Sequence, residues 1–178
     1  MKTRILVVLA LAVLLALLAG TVAAKTIRTP FTGTSSLLTW IWEGRYWEPG
    51  PNVFWRDMIP ILQLDASDPR ISGIVCVIHN GNYRPSPDDP CFGIEGPMFG
   101  KIRIEQDGDL DCWNATDGWE GNFVAMRHPD GLETFDMNVK GFGQYEGLQA
   151  RFHEWSLSCG GDQEALLVEG EILDPDGK

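Results

Sequence analysis

The chain has 178 residues, 25 acidic against 14 basic side chains, and a net charge of −11. A chain this acidic repels the phosphates of nucleic acids and of anionic lipids, which argues against both as partners. Apolar residues make up 44% of the chain, enough for one domain with a hydrophobic core.

Residues 1–24 are predicted to be a secretory signal peptide. Lys2 and Arg4 precede the apolar run 5–18, and small residues then offer a cleavage site before Lys25. The run is short for a spanning helix and no stop-transfer charges follow it, so a retained membrane anchor is the less favoured alternative. We therefore expect a secreted or periplasmic protein with no membrane contact after cleavage.

The predicted mature chain, residues 25–178, forms a single domain. It keeps 12 basic and all 25 acidic residues, a net charge of −13. Eight segments of it combine alternating or aromatic and β-branched residues with flanking turn signals, which predicts strands. In chain order they are 31–43, 53–64, 71–78, 99–105, 119–126, 134–139, 148–153 and 166–172. No segment has a convincing helical period.

Prolines and glycines punctuate the first half of the chain. Pro60 lies inside the second predicted strand and implies an edge position or a bulge there. The stretch 81–97 holds four prolines and three glycines, so we expect a long irregular loop. A second long loop is expected to begin at Asp107.

Eight strands with short sequential turns favour an all-β fold, a single antiparallel, mostly up-and-down β-barrel. Closure of a barrel leaves no unpaired strand edge. A β-sandwich is the runner-up, but its Greek-key crossings fit short sequential turns less well.

Four cysteines, an even number, favour two disulfides in an exported chain. If strands alternate in direction, Cys112 lies at one barrel end, and Cys91 and Cys159 lie at the other. A ten-residue strand spans about 33 Å, whereas a disulfide needs Cα atoms about 5.5 Å apart. Only the pairing Cys76–Cys112 with Cys91–Cys159 avoids joining opposite ends.

Several motifs suggest sites that their spacing does not support. Asp107, Asp109 and Asp111 resemble half of a calcium loop, but Gly and Glu are missing where such a loop needs them. The glycines of 141–147 are wrongly spaced for a phosphate loop and fit barrel turns. The cysteines and three scattered histidines lack zinc spacing, so we predict no metal and no cofactor. Asn114 begins a glycosylation triplet.

Seven tryptophans raise a carbohydrate-binding alternative. Period two places Trp40 and Trp42 on one strand face. Use of tryptophan as core filler is the favoured interpretation. Ser156 and Ser158 have no patterned His or Asp partner, so a catalytic triad is not predicted.

Strand parity predicts where a site would lie. One face of the third strand is apolar until His79, one face of the fifth until Arg127, and one face of the seventh until Glu154. We interpret these as lumen faces, with the three ionisable groups near the barrel end that holds Cys91 and Cys159. There they form a candidate ligand-binding site that could orient a polar group or move a proton. The alternative is that these three groups are solvated charges at the rim of the barrel and bind no ligand.

The run 141–148, Gly-Phe-Gly-Gln-Tyr-Glu-Gly-Leu, and the later Leu-Val-Glu-Gly-Glu-Ile of 167–172 resemble the closing strands of allene oxide cyclase-like barrels. Dirigent proteins share that barrel, and the resemblance spans 31–175. It implies an apolar cavity and frequent oligomers, so a homo-oligomer is an expectation here. Known enzymes among such barrels steer cyclisation or radical coupling, yet no catalytic motif can be carried over residue by residue.

Two functions follow as hypotheses. The favoured one is a non-enzymatic exported barrel that binds a small apolar molecule or serves structurally. The alternative is an isomerase-like cyclase acting on an apolar substrate in the lumen, which requires a roomy pocket with one or two oriented polar groups. A structural barrel fills its lumen with side chains instead.

Overall fold

The computed structural model describes residues 25–108, 110–156, 165–175 and 177. The predicted signal peptide and Cys159 lie outside them. The described strands are β1 (Ile27–Trp42), β2 (Arg45–Trp47), β3 (Val53–Ala66), β4 (Gly73–Pro85), β5 (Ile94–Glu105), β6 (Gly118–Arg127), β7 (Glu133–Phe142), β8 (Gln149–Trp155) and β9 (Leu166–Asp174). Two short 3-10 turns are Cys112–Asn114 and Gly143–Tyr145.

The strands form a closed antiparallel barrel of eight, which confirms the predicted fold class. The order around it is β1-β9-β8-β7-β6-β5-β4-β3, and pairing of β1 with β3 closes it. Apart from β2, a three-residue strand that pairs with β3 near the rim, these are the eight predicted strands. Consecutive strands from β3 to β9 are neighbours, so the topology is up-and-down.

The main core fills the barrel interior. Its largest fully buried side chain, Trp119, packs with Ile102, Ile104, Val139 and other inward-facing residues. Alternation along each strand places these residues inside and polar residues outside, as period two requires.

The bounds predicted for the irregular loop, 81–97, are wrong at both ends. β4 continues to Pro85 and β5 starts at Ile94, so the connection is only 86–93. Gly81 is needed in the lengthened strand because the ring of Tyr83 lies where a Cβ at position 81 would stand. Glycine here makes room for an inward aromatic side chain and does not end the strand.

Pro60 does not lie at an edge, since β3 pairs on both sides. Its partner on β1 is Trp40, and the register shifts between Trp40 and Trp42, so the bulge alternative is the correct one. Because the partner of Trp42 is Ile59, the bulge also turns Trp40 and Trp42 to opposite faces. The prediction of a shared face is therefore wrong.

Tryptophan is not mainly core filler in this chain. Trp119 is fully buried, but Trp40, Trp42, Trp47 and Trp113 are each more than a third exposed. Trp40, Trp42 and Trp47 lie near the ends of their strands, and Trp113 lies in the connection between β5 and β6. The core-filler interpretation is correct for Trp119 alone among these five.

A second, smaller core lies outside the barrel wall. The Cys76–Cys112 disulfide, with its Cα atoms 5.9 Å apart, packs against Ile61 and Ile74 on the outer face. It holds the 106–117 connection against the wall, where the Arg103 guanidinium donates to two carbonyl groups of the connection. This disulfide is the predicted one. The second predicted bond has its Cys159 end outside the described residues, although Cys91 is not a free thiol.

Candidate functional site

The three predicted site residues all face the barrel interior. His79, Arg127 and Glu154 are 9%, 3% and 3% exposed. They lie on β4, β6 and β8, which run in the same direction because neighbouring strands are antiparallel. Arg127 and Glu154 lie at or next to the C-terminal ends of β6 and β8, at one end of the barrel, which we call the upper end, whereas His79 lies at the middle of β4. The structure does not bring them into one hydrogen-bonded cluster.

Arg127 is fully engaged by two carboxylates. Its Nε lies 3.0 Å from Asp89 Oδ2, and its NH1 lies 2.6 Å from Glu133 Oε1. Both pairs are largely shielded from water, which strengthens them but makes loss of either partner costly. Arg127 therefore has little capacity left to bind an anionic ligand.

Asp89 ties the 86–93 connection to this cluster. Its carboxylate accepts backbone N–H bonds from Cys91, Phe92 and Ile94. Burial works to raise the pKa of Asp89, but the bonds from Arg127 and the backbone outweigh it and hold that pKa below its usual range. The Phe92 ring lies over the Arg127 guanidinium at 4.6 Å, which adds a cation–π contact.

The pKa of Glu133 is shifted in the opposite direction from that of Asp89. Burial raises the pKa of its carboxyl, and the charge of Arg127 offsets this only partly while Asp89 repels it. The three charges sum to −1, so the cluster is an anionic neighbour of the lumen.

His79 is a neutral, partnered group. Its Nε2 lies 3.0 Å from the Tyr83 hydroxyl, and its ring contacts Phe123 at 6.0 Å between centroids. Burial lowers the pKa of His79 to about 4, and burial raises that of Tyr83. Both groups are therefore uncharged at neutral pH.

Glu154 is the exception among the three. No hydrogen bond or ion pair reaches its carboxyl from the described part of the chain. Its ladder partners are Phe135 on β7 and Val168 on β9, and Phe152 precedes it on the same face. Burial in these apolar surroundings raises the pKa of Glu154 to about 8, so the group is mainly a neutral acid at pH 7.

Four inward-facing apolar residues toward the upper end of the barrel are only half-buried. Phe135, the ladder partner of Glu154, and Ala125, the next residue around the barrel, face inward but remain half-buried. Trp55 on β3 and Ile94 on β5 also face inward and are half-buried. We call these four residues the apolar mouth. An open groove of about 670 Å³ lies on the outside of this end, where its walls include Phe54, Pro97 and Met126 as well as Tyr83 and Arg127.

The remaining sequence motifs do not form a competing site. The glycines of 141–147 make the β7–β8 turn, with Gly143 at a φ of 62°. Of the calcium-like run, Asp109 lies outside the described residues, and Asp111 accepts a bond from exposed Asn114. Within the described ranges, no three His, Cys, Asp or Glu residues could hold a metal ion. No helix there could span a membrane.

Comparisons with protein-family models, curated proteins and solved structures found no match to this chain. The resemblance to allene oxide cyclase-like barrels therefore stays a prediction. So does the role of His79, Arg127 and Glu154 in ligand binding.

Sequence reasoning missed the partners that decide what each group can do. Glu133 shares the inward parity of Phe135 and could have been found by extending the sixth predicted strand, 134–139, by one residue. Asp89 lies in a connection and Tyr83 in a stretch interpreted as irregular, so no periodicity marked either of them.

Proposed function

We propose that this protein is an exported barrel that binds a small apolar molecule in its lumen without catalysing a reaction on it. The observation that carries the proposal is the Glu154 carboxyl, which is buried on the lumen face without a partner among the described residues. The signal-like segment and the disulfide Cys76–Cys112 support export. Among the described residues at the site, none resembles an activated nucleophile.

An unpartnered buried carboxyl is expensive for a fold. Burying a polar group without a hydrogen bond costs about 1–3 kcal/mol, whereas a leucine at this position would cost nothing of the kind. Native proteins pair nearly all such groups, and exceptions mark sites whose partner comes from elsewhere. A bound molecule that reaches Glu154 would supply that partner.

The surroundings of Glu154 fit a mainly apolar ligand. The Glu154 ladder partners Phe135 and Val168 are apolar, and Phe152, Met137 and Phe123 belong to the same buried core. Binding pockets are typically apolar with a small number of placed polar groups. A lumen surface of aromatic side chains with one carboxyl group has that composition.

A matched pair of substitutions tests the location. Ala125→Trp fills the mouth from the inside, while Val124→Trp adds the same ring to the neighbouring outward residue, which is 61% exposed. Binding of a neutral fluorescent apolar dye, such as N-phenyl-1-naphthylamine, is measured for the two variants and the parent. We expect Ala125→Trp to weaken binding at least tenfold and Val124→Trp to leave it unchanged. Equal dye binding by all three proteins would place the dye elsewhere and refute a lumen site.

Native mass spectrometry of protein purified from its host gives an independent test. A co-purifying small molecule that is lost from Ala125→Trp and kept by Val124→Trp supports the proposal. A parent protein that carries no molecule and binds no dye would leave only a structural role.

One observation favours the isomerase-like alternative. Glu154, a neutral acid, lies on β8, and His79, a neutral base, lies on β4, directly across an eight-strand barrel. An acid and a base on opposite walls could protonate and deprotonate one substrate. Deuterium from heavy water that appears at carbon in a recovered ligand would favour this alternative over simple binding.

A further inference from the structure

The ligand class can be narrowed from the charges around the lumen, an inference that rests on the proposed function. We infer that the lumen takes a lipophilic cation, an apolar molecule that carries one protonated amine, with Glu154 as its counter-ion. Glu154 has no protein cation near it among the described residues, aromatic rings lie beside it, and its charged neighbours are net negative.

The described protein supplies no counter-ion of its own for Glu154. The cation at the upper end that faces the lumen is Arg127, and Asp89 and Glu133 already bind it. His79 stays neutral against Tyr83. A ligand ammonium can therefore pair with Glu154 without displacing an existing protein contact.

The walls beside Glu154 also suit a cation. Phe135 is its ladder partner, so the two Cβ atoms lie about 5 Å apart. Phe152 lies two residues before it on the same face, and its ring packs against Phe31 at 6.0 Å. Phe123 packs against Phe135 at 6.1 Å. Aromatic faces next to a carboxyl attract ammonium groups through the ring quadrupole and the negative charge together.

Charge complementarity argues against an anionic ligand and against a neutral one. An anion would meet a cluster of net charge −1 at the mouth and a second carboxyl inside, in a chain of net charge −11. The same field attracts cations from solution. A neutral ligand would leave Glu154 protonated with one hydrogen bond, whereas a ligand ammonium would form a charge-assisted pair with the ionised carboxylate in an apolar environment, and the Glu154 proton would go to the solvent.

Three probes that differ only in the head group test the inference: n-octylamine, n-octanol and octanoate. Their affinities are measured at pH 7.5 by calorimetry, for the parent and for two variants that each remove one carboxylate. Glu154→Gln removes the lumen carboxyl. Glu169→Gln removes an exposed one on β9, whose ladder partner is His153.

We expect the parent to bind octylamine at least tenfold tighter than octanol and to bind octanoate more weakly than octanol. Glu154→Gln should bring octylamine to within about twofold of octanol, while Glu169→Gln keeps the preference. Because a bound amine ionises Glu154, octylamine binding to the parent should also release a proton, seen as a heat that depends on the buffer. Octanol binding should release none, and this comparison needs no variant.

Each failure has a distinct meaning. If octanol or octanoate binds the parent as tightly as octylamine, or if Glu154→Gln keeps the amine preference, the cation inference is overturned and lumen binding stands. If none of the three probes binds and the dye does not bind either, the proposed function fails with it.

Discussion

Glu154 and His79 lie four strands apart in either direction around the barrel, so they occupy opposite walls of the lumen. Burial raises the pKa of the acid to about 8 and lowers that of the base to about 4. Both groups are therefore held mainly in their uncharged forms near pH 7, which is how an apolar lumen can contain them. Each shift also gives the fold a pH dependence of known sign.

Glu154 is predicted to make the fold less stable as pH rises. The unfolded chain loses this proton near its ordinary pKa of 4.5, whereas the folded chain keeps it until about 8. Over that window the folded state binds more protons, so the free energy of unfolding falls by up to about 1.4 kcal/mol per pH unit. Glu154→Gln should lack this decline and gain stability over the parent from pH 5 to pH 8, with a plateau above.

Chemical denaturation at a series of pH values measures this difference. Glu169→Gln is the matched control, because it removes an exposed carboxylate from the outward face of β9. Parent and Glu154→Gln curves that run parallel from pH 5 to pH 8 would show that Glu154 ionises normally in the fold.

His79 is predicted to act at the acid end. Its unfolded form gains a proton near pH 6.5, but the buried ring resists protonation until about pH 4. The unfolded state binds more protons in between, so stability falls as pH drops from 6.5 to 4. His79→Gln should flatten this limb in the same denaturation series, while His153→Gln, on an exposed ring of β8, should keep it. If His79→Gln loses as much stability between pH 6.5 and pH 4 as the parent does, other groups cause the acid sensitivity.

The fold was largely predictable because its signal is local. Each of the eight barrel strands carries its own alternation, and the lumen faces that end in His79, Arg127 and Glu154 follow from parity alone. Short turns between consecutive strands then leave few topologies other than an up-and-down barrel.

What could not be predicted depends on contacts between distant residues. Gly81 and its neighbours read as a loop because the sequence does not show that the ring of Tyr83 needs the space above position 81. The bulge between Trp40 and Trp42 arises opposite Pro60 on another strand. Asp89 has no pattern of its own, and its role exists only because Arg127 lies under the 86–93 connection.

The Cys76–Cys112 disulfide is predicted to contribute measurably to stability. It closes a loop of 36 residues, for which chain entropy gives about 4 kcal/mol. Both sulfur atoms are buried on the outer face with Ile61 and Ile74, so the double variant Cys76→Ala/Cys112→Ala also loses packing. Equilibrium denaturation should show a loss of about 3–5 kcal/mol while the far-ultraviolet circular dichroism stays that of a β protein. A loss below about 1 kcal/mol would mean that the outer core does not need the bond.

The buried charges at the mouth are predicted to be a stability element whose parts depend on one another. Arg127→Met leaves Asp89 and Glu133 buried without their cation, and uncompensated buried charge typically costs about 3–5 kcal/mol. Arg151→Met, an exposed arginine on the outward face of β8, should change the free energy of unfolding by less than about 0.5 kcal/mol. Adding Asp89→Asn and Glu133→Gln to Arg127→Met should recover part of the loss, because the uncompensated charges are then gone. If Arg127→Met costs no more than Arg151→Met, or if the triple variant is less stable than Arg127→Met alone, the cluster does not hold the 86–93 connection in the way its geometry indicates.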